Sequence, residues 1–123
     1  MTAAHDSVWP EALDYDPTTK ILHVSFEGGT VFALPAEYLR VESPSAEVQG
    51  HGPSQKQTVS GRRHVGVQKI EPVGNYAVRL VFDDLHDTGL YTWQYLHELG
   101  REQAVRWQAY LDALGAKGLS RDP

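Results

Sequence analysis

The chain contains no cysteine. Disulfides, thiolate zinc sites, cysteine-ligated iron–sulfur clusters and cysteine nucleophiles are all excluded by that single absence. No apolar run is long enough to span a bilayer. The opening stretch MTAAHDSVWPEALDYD lacks the basic-then-apolar pattern of a signal peptide. Basic charge is also scarce. Aspartate plus glutamate outnumber lysine plus arginine by 16 to 11, a formal charge of -5. Nonspecific nucleic-acid binding needs a broad basic surface, so this balance argues against it. The expectation is a soluble, cytoplasmic protein, taken as a monomer, with neither membrane nor nucleic acid as a partner.

What is present suffices for one globular domain. The 123 residues are 41% hydrophobic and 22% charged, ordinary values for a folded chain. A domain of this length buries about two thirds of its unfolded surface. The segment KILHVSF alternates, with Leu22, Val24 and Phe26 on one face, which predicts a strand. The EGG turn and TVFALP complete a hairpin. PAEYLR reads as a short helix with Pro35 in its first turn. Val41 to His64 is rich in Gly, Pro, Ser and Gln and reads as a long irregular loop. VGVQKIEPV, the Gly74-Asn75 turn and YAVRLVF predict a second hairpin, with Tyr76, Val78, Leu80 and Phe82 on one side. GLYTW is a short strand or a helix entry. WQYLHELG reads as a helix stopped by Gly100. A further helix follows from Arg101, with Ala104, Trp107, Leu111 and Leu114 on its buried side and Gly115 at its end. Strands come first and helices gather late. The fold class is therefore α+β, a mainly antiparallel sheet of hairpins packed with C-terminal helices. The expected organisation is a flexible arm over 1–13, the domain over 14–115 and a tail over 116–123.

The stretch FDDLHDTGLYTW looks most like chemistry. Asp83, Asp84 and Asp87 surround His86, and imidazole with carboxylates suits zinc or iron. Neighbours in one turn cannot all point at one ion, however. Asp also favours turns because its side chain bonds nearby backbone N–H groups. His97-Glu98 begins an H-E-x-x-H zinc motif, but Arg101 stands where the second histidine belongs, which leaves His97 as a helix-surface residue. No G-x-S-x-G elbow and no H-x-D/E start of an iron facial triad are present. His51 lies between glycines in a loop that could meet a partner. Arg62, Arg63 and His64, with Lys56, Lys69 and Arg79, could make a basic strip for an acidic partner or a charged strand edge. Trp93, Tyr95 and Trp107 read as core.

Three long segments bear a family resemblance. LPAEYLRVESPSAEVQGHGP, IEPVGNYAVRLVFDDLHDTGLYTWQYLHELG and EQAVRWQAYL resemble the gamma-butyrobetaine hydroxylase-like N-terminal domain, domain of unknown function 971, over most of residues 14–114. In gamma-butyrobetaine and trimethyllysine dioxygenases such a domain precedes the catalytic β-helix and holds a structural zinc with three cysteines and one histidine. Similar domains are fused to Mrp-type ATPases that carry iron–sulfur clusters. The resemblance implies that the cysteine positions fall on Ser43, Ser45 and Val48, and the histidine on His86. The family zinc site cannot form with those residues. Hydrogen bonds from His86 to Ser43, Ser45 or the loop backbone could join the same two segments instead.

These readings lead to a non-catalytic accessory module that binds another protein, by analogy in iron–sulfur assembly or an oxygenase system. The candidate surface is Ser43, Ser45, His51, Arg62, Arg63, His64, Asp83, Asp84, His86 and Asp87. No cofactor is expected. The alternative is a zinc- or iron-binding domain using His86 with His51 or His64 and the nearby aspartates. An enzyme is the third reading, although no nucleophile–base pair is visible in the sequence.

Overall fold

The computed structural model describes residues 8–123. Six strands form two antiparallel sheets. β1 (Pro10–Asp16), β2 (Ile21–Phe26) and β3 (Val31–Pro35) make the first, and β4 (Val67–Val73), β5 (Ala77–Phe82) and β6 (Leu90–Thr92) the second, each in sequential order. α1 (Ala36–Val41) and α2 (Ala46–Gln49) lie between the sheets in sequence. α3 (Trp93–Arg101) and α4 (Gln103–Ala116) follow the second sheet. This is a single small α+β domain, as the order of elements predicts. No helix among the described residues is long and apolar enough to cross a membrane.

The alternating strands bury the expected faces. Leu22, Val24 and Phe26 of β2 meet Val78, Leu80 and Phe82 of β5 in one core, joined by Tyr38 and Leu39 of α1 and Leu96 and Leu99 of α3. A second cluster sets Tyr110 and Leu114 of α4 against Val41. Trp93, Tyr95 and Trp107 pack partly buried against the main core.

Several expectations need correction. Residues 10–13, read as part of a flexible arm, lie in β1, where Leu13 pairs with Val24. Residues 1–7 of that arm lie outside the described residues. Pro35 is not inside the first turn of α1 but caps it in extended conformation. Tyr76 is exposed because β5 starts one residue later, where Ala77 is buried. Gly100 does not stop α3, which runs on to Arg101. A Cβ at Gly100 would sit 2.2 Å from the Phe32 ring, so glycine there permits close contact of helix and strand. α4 likewise continues past Gly115 to Ala116. Gly118, at φ +65°, turns the chain beyond it, and the Leu119 N–H returns to the Leu114 carbonyl. Ala104 is exposed, and Tyr110 takes the buried position. His97 is half-buried rather than fully exposed on the helix surface. Its ring packs edge-on against Phe26 and Phe32, with centroids 5.0 and 5.4 Å away.

The segment from Val41 to His64 is less irregular than its composition suggests. It contains α2 and a 3-10 turn at Pro53–Gln55. The Gln57 N–H closes it onto the Val48 carbonyl at 2.7 Å. Gly50 takes φ +66°, and a Cβ there would meet the Gln55 carbonyl oxygen at 2.7 Å. The last residues also pack back. Gly61 N–H donates to Ser120 O, Arg63 N–H to Arg121 O, and Arg121 grips both carboxylate oxygens of Glu37.

Candidate functional site: a closed serine–histidine junction

α1 is buried on every side although its sequence, AEYLRV, contains two charged residues. Each charge, with Glu42 at the end of the helix, reaches out to a distant element. Glu37 meets Arg121, Arg40 meets Asp84, and Glu42 meets Lys56 and Arg106. The helix is thus an anchor for the C-terminal residues, for the turn after β5 and for α4. Three tyrosine hydroxyls reinforce it. Tyr38 donates to Leu99 O, Tyr91 to Leu39 O and Tyr95 to Glu42 O. Burial raises the pKa of all three phenols, that of Tyr95 to about 12, so they act as neutral donors.

The turn after β5 is built by Asp84. Its Oδ1 accepts from the His86 N–H at 3.1 Å, the local bond for which aspartate is favoured in turns. Its Oδ2 accepts from Arg40 Nε at 2.8 Å and Arg62 Nε at 2.7 Å. Burial pushes the carboxyl up in pKa. The bonds from Arg40, the His86 N–H and Arg62 outweigh this and hold it below the ordinary range. Phe82 N–H to His86 O and Leu85 N–H to Phe82 O close the turn. Leu85 is forced to φ +74° at its tip.

His86 projects inward from this turn. Its Nε2 lies 2.9 Å from Ser43 Oγ and 3.4 Å from Ser45 Oγ. Ser43 donates to Ser45 Oγ at 3.2 Å, and the Ser45 N–H returns to Ser43 Oγ at 3.3 Å. Ser43 Oγ and His86 Nε2 share one hydrogen bond, whose donor is set by the His86 tautomer. Gln49 Nε2 holds the Ser43 carbonyl at 2.8 Å. The chain beyond the turn passes so close that a Cβ at Gly89 would lie 2.5 Å from Ser43 Oγ. Thr88 donates to Glu47 at the rim. The loop after α1 and the turn after β5 are therefore latched by hydrogen bonds between Ser43, Ser45 and His86.

A serine oxygen at 2.9 Å from an imidazole nitrogen resembles a nucleophile–base pair, one that sequence reading missed. Its surroundings do not suit that role. Ser43 is 0% exposed, and the clefts beside α4, beside Asp83 and Asp84, and beside Trp107 are lined by other residues. The carboxylate beside His86 meets its backbone N–H, not its ring. The pair is placed to join two segments.

The remaining candidates disperse. Val48 is buried in α2. His51, Arg63, His64, Asp83 and Asp87 are exposed. His64 with Arg62, Asp83 and Asp84 lines a shallow cleft of about 180 Å³. Most cations of the candidate basic strip are taken up in pairs. Lys56 binds Glu42, Arg62 binds Asp84, Arg63 binds Asp122 and Arg79 binds Glu71. Among the described residues no three His, Asp or Glu side chains converge on a point that could hold a metal ion. The donor set at His86, one imidazole and two neutral hydroxyls, does not fit the four-ligand zinc of the resemblance. Arg40 and Leu85 were missed from sequence. Each did leave a trace: an arginine in an otherwise apolar turn of helix, and a leucine in an otherwise polar turn.

Burial, aided by the Arg40 guanidinium, lowers the pKa of His86, and burial lowers that of His97. The unfolded chain, with both near about 6.5, therefore binds protons first as pH falls. The stability these groups contribute is present above about pH 6.5 and is lost as pH drops toward their folded values. Replacing His86 with Gln keeps a hydrogen-bonding group for Ser43 but removes one titrating group. Urea midpoints measured from about pH 8 to about pH 5 should fall less steeply for His86→Gln than for the parent chain, with His97 among the groups that supply the remaining slope. Equal slopes would show that His86 is not buried as described.

A small α+β domain with a closed polar junction is the class this geometry defines. The chain belongs to the gamma-butyrobetaine hydroxylase-like, N-terminal family, whose model matches residues 13–97. Two solution structures determined by NMR are similar to it. One is 45% identical, covering 94% of this chain and 91% of its own, with a TM-score of 0.81. The other is 46% identical, covering 100% and 92%, with a TM-score of 0.83. A crystal structure of a protein of unknown function of the DUF971 family, from Acidithiobacillus ferrooxidans, is 37% identical over 74% of this chain and 91% of its own, with a TM-score of 0.63. No match was found among curated proteins.

Proposed function

We propose that this chain is a non-catalytic accessory module that binds another protein through the 83–87 turn. The observation that carries this reading is Leu85. It is 86% exposed and held at positive φ, a conformation that costs a leucine about 1 kcal/mol or more. Fixed strain of this kind gathers at binding and switch sites. The residues that impose it, Asp84 and Phe82, are themselves fastened to the core. Asp83 and Asp87 lie near the leucine in the turn, and Asp83 and Asp84 share the shallow cleft with His64 and Arg62. The contact surface therefore contracts from the wider set of candidates to an apolar knob with a mixed-charge rim. Buried Ser43, Ser45 and His86 shape the surface without touching the partner. The family resemblance directs the search for that partner to iron–sulfur assembly and oxygenase systems.

A photo-crosslinking phenylalanine analogue placed at position 85 tests the reading, with the same group at exposed Val105 on α4 as the control. A discrete adduct is expected from position 85 alone, and unlabelled parent protein should compete it away. Leu85→Gly should compete at least about tenfold less well, as expected for an anchor residue. Its melting temperature should stay close to the parent value, because relief of strain offsets the entropy that glycine adds to the unfolded chain. Equal adducts at both positions, or undiminished competition by Leu85→Gly, would overturn the assignment.

A further inference from the structure

A second concave surface lies away from the 83–87 turn, between the 54–58 segment and α4. Its volume is about 360 Å³, within the range of small-molecule sites. Val41, Ala109, Tyr110 and Ala113 give it apolar walls. The Tyr110 hydroxyl is already committed to the Val59 carbonyl at 2.6 Å, which leaves its ring as the contact surface. Small residues at 109 and 113, one turn apart on α4, keep the cleft open where larger side chains would close it.

The polar groups of this cleft differ in how fully they are used. Both Glu42 carboxylate oxygens accept from Lys56 Nζ at 3.0 Å, and Oε1 also accepts from Arg106 Nη1 at 2.8 Å. Arg106 binds Glu98 and Glu102 as well, so each of its three nitrogens meets a carboxylate. Lys117 is different. Its Nζ donates to the Thr58 hydroxyl at 2.8 Å, and no carboxylate of the described residues lies within ion-pair distance of it. One unanswered ammonium, a neighbouring hydroxyl and apolar walls match a ligand with one negative charge on an apolar body. A phosphate group would instead call for a free arginine fork or a nest of backbone N–H groups. Every nitrogen of the arginine here already meets a carboxylate.

We infer that this cleft binds a small monocarboxylate with an aromatic or branched apolar body, its carboxylate on Lys117 and Thr58 and its body against Tyr110, Ala109 and Ala113. This site is independent of the protein-binding turn.

Titration of the isotopically labelled full chain with benzoate, followed by amide NMR shifts, tests the inference. Benzoate should give saturable shifts confined to residues 54–58 and 109–117, with a Kd of the order of 1 mM. That is what one exposed ion pair and a partly buried ring can supply. Benzamide, which has the same shape without the charge, should bind about threefold to tenfold more weakly, and inorganic phosphate should leave these amides unmoved. Lys117→Gln should abolish the preference for benzoate over benzamide. Ala113→Leu should weaken both by filling the cleft. Equal affinity for the acid and the amide overturns the carboxylate assignment. Shifts elsewhere, or none, overturn the site.

Discussion

A chain carrying Ser43→Cys, Ser45→Cys and Val48→Cys is expected to take up one zinc ion and to become markedly more stable with it than without it. Ser43 and Ser45 already place their oxygens 2.9 and 3.4 Å from His86 Nε2. Val48 lies three residues beyond Ser45, which caps α2, a spacing that brings a cysteine at 48 within one turn of the pair. Thiolates at these positions with the imidazole make a Cys₃His set, a tetrahedral donor group suited to zinc. Because zinc would bind the folded arrangement in preference to the unfolded chain, a concentration of about a thousandfold over Kd adds about 4 kcal/mol. For a domain of this length that raises the melting temperature by roughly 10–20 °C.

The same substitution should lower the stability of the metal-free protein. Sulfur is the weaker hydrogen-bonding atom, so the latch from His86 to the loop loosens. Metal analysis after dialysis, with melting curves before and after a chelator, reads both effects. If the triple variant retains no zinc, then Ser43, Ser45 and Val48 are not in metal-ligand register with His86. The serine–histidine latch would then not occupy the place of a metal. Ser43→Cys with Ser45→Cys alone should bind zinc much more weakly, since one coordination position would be left to water.

The legible parts of this fold are those set by local period. ILHVSF and AVRLVF alternate and bury the faces that alternation selects. The helices were harder, because their limits and buried sides depend on distant partners. Gly100 looks like a stop until Phe32 is seen lying against it. The stripe of α4 shifts from Ala104 to Tyr110 because α4 packs partly on Val41 and Val59, which lie far away in sequence. The meeting of His86 with Ser43, 43 residues apart, is likewise invisible to periodicity. It could be anticipated only by laying the chain on a family whose metal joins the same two segments. Even that comparison passes over Arg40, since charge pairing across such a separation leaves no repeating mark. The turn-forming role read for the aspartates was local, and for Asp84 it appears in the bond from the His86 N–H.

Asp84→Ala should be the most damaging single change at the junction, costing about 3–5 kcal/mol. The Arg40 side chain is only 9% exposed, and its Nη1 is buried without a partner among the described residues. Asp84 is the carboxylate that answers this buried charge, and removing one partner of a buried pair leaves the other uncompensated. Arg62, at 34% exposure, can turn to water and adds little to the loss. Asp84→Asn keeps an oxygen for the His86 N–H but not the charge, so its cost should fall between those of alanine and the parent. The decisive comparison is the double change of Asp84→Ala with Arg40→Met, which removes both charges and retains an apolar side chain of similar length. It should recover about 2 kcal/mol or more of the loss, a coupling within the range for directly paired groups. Denaturant midpoints give the four stabilities, and amide exchange over residues 83–86 should quicken in Asp84→Ala as the turn that presents Leu85 comes loose. A cost under about 1 kcal/mol for Asp84→Ala, with no recovery in the double variant, would make this an ordinary surface pair and would leave the rigidity of the 83–87 turn without a cause.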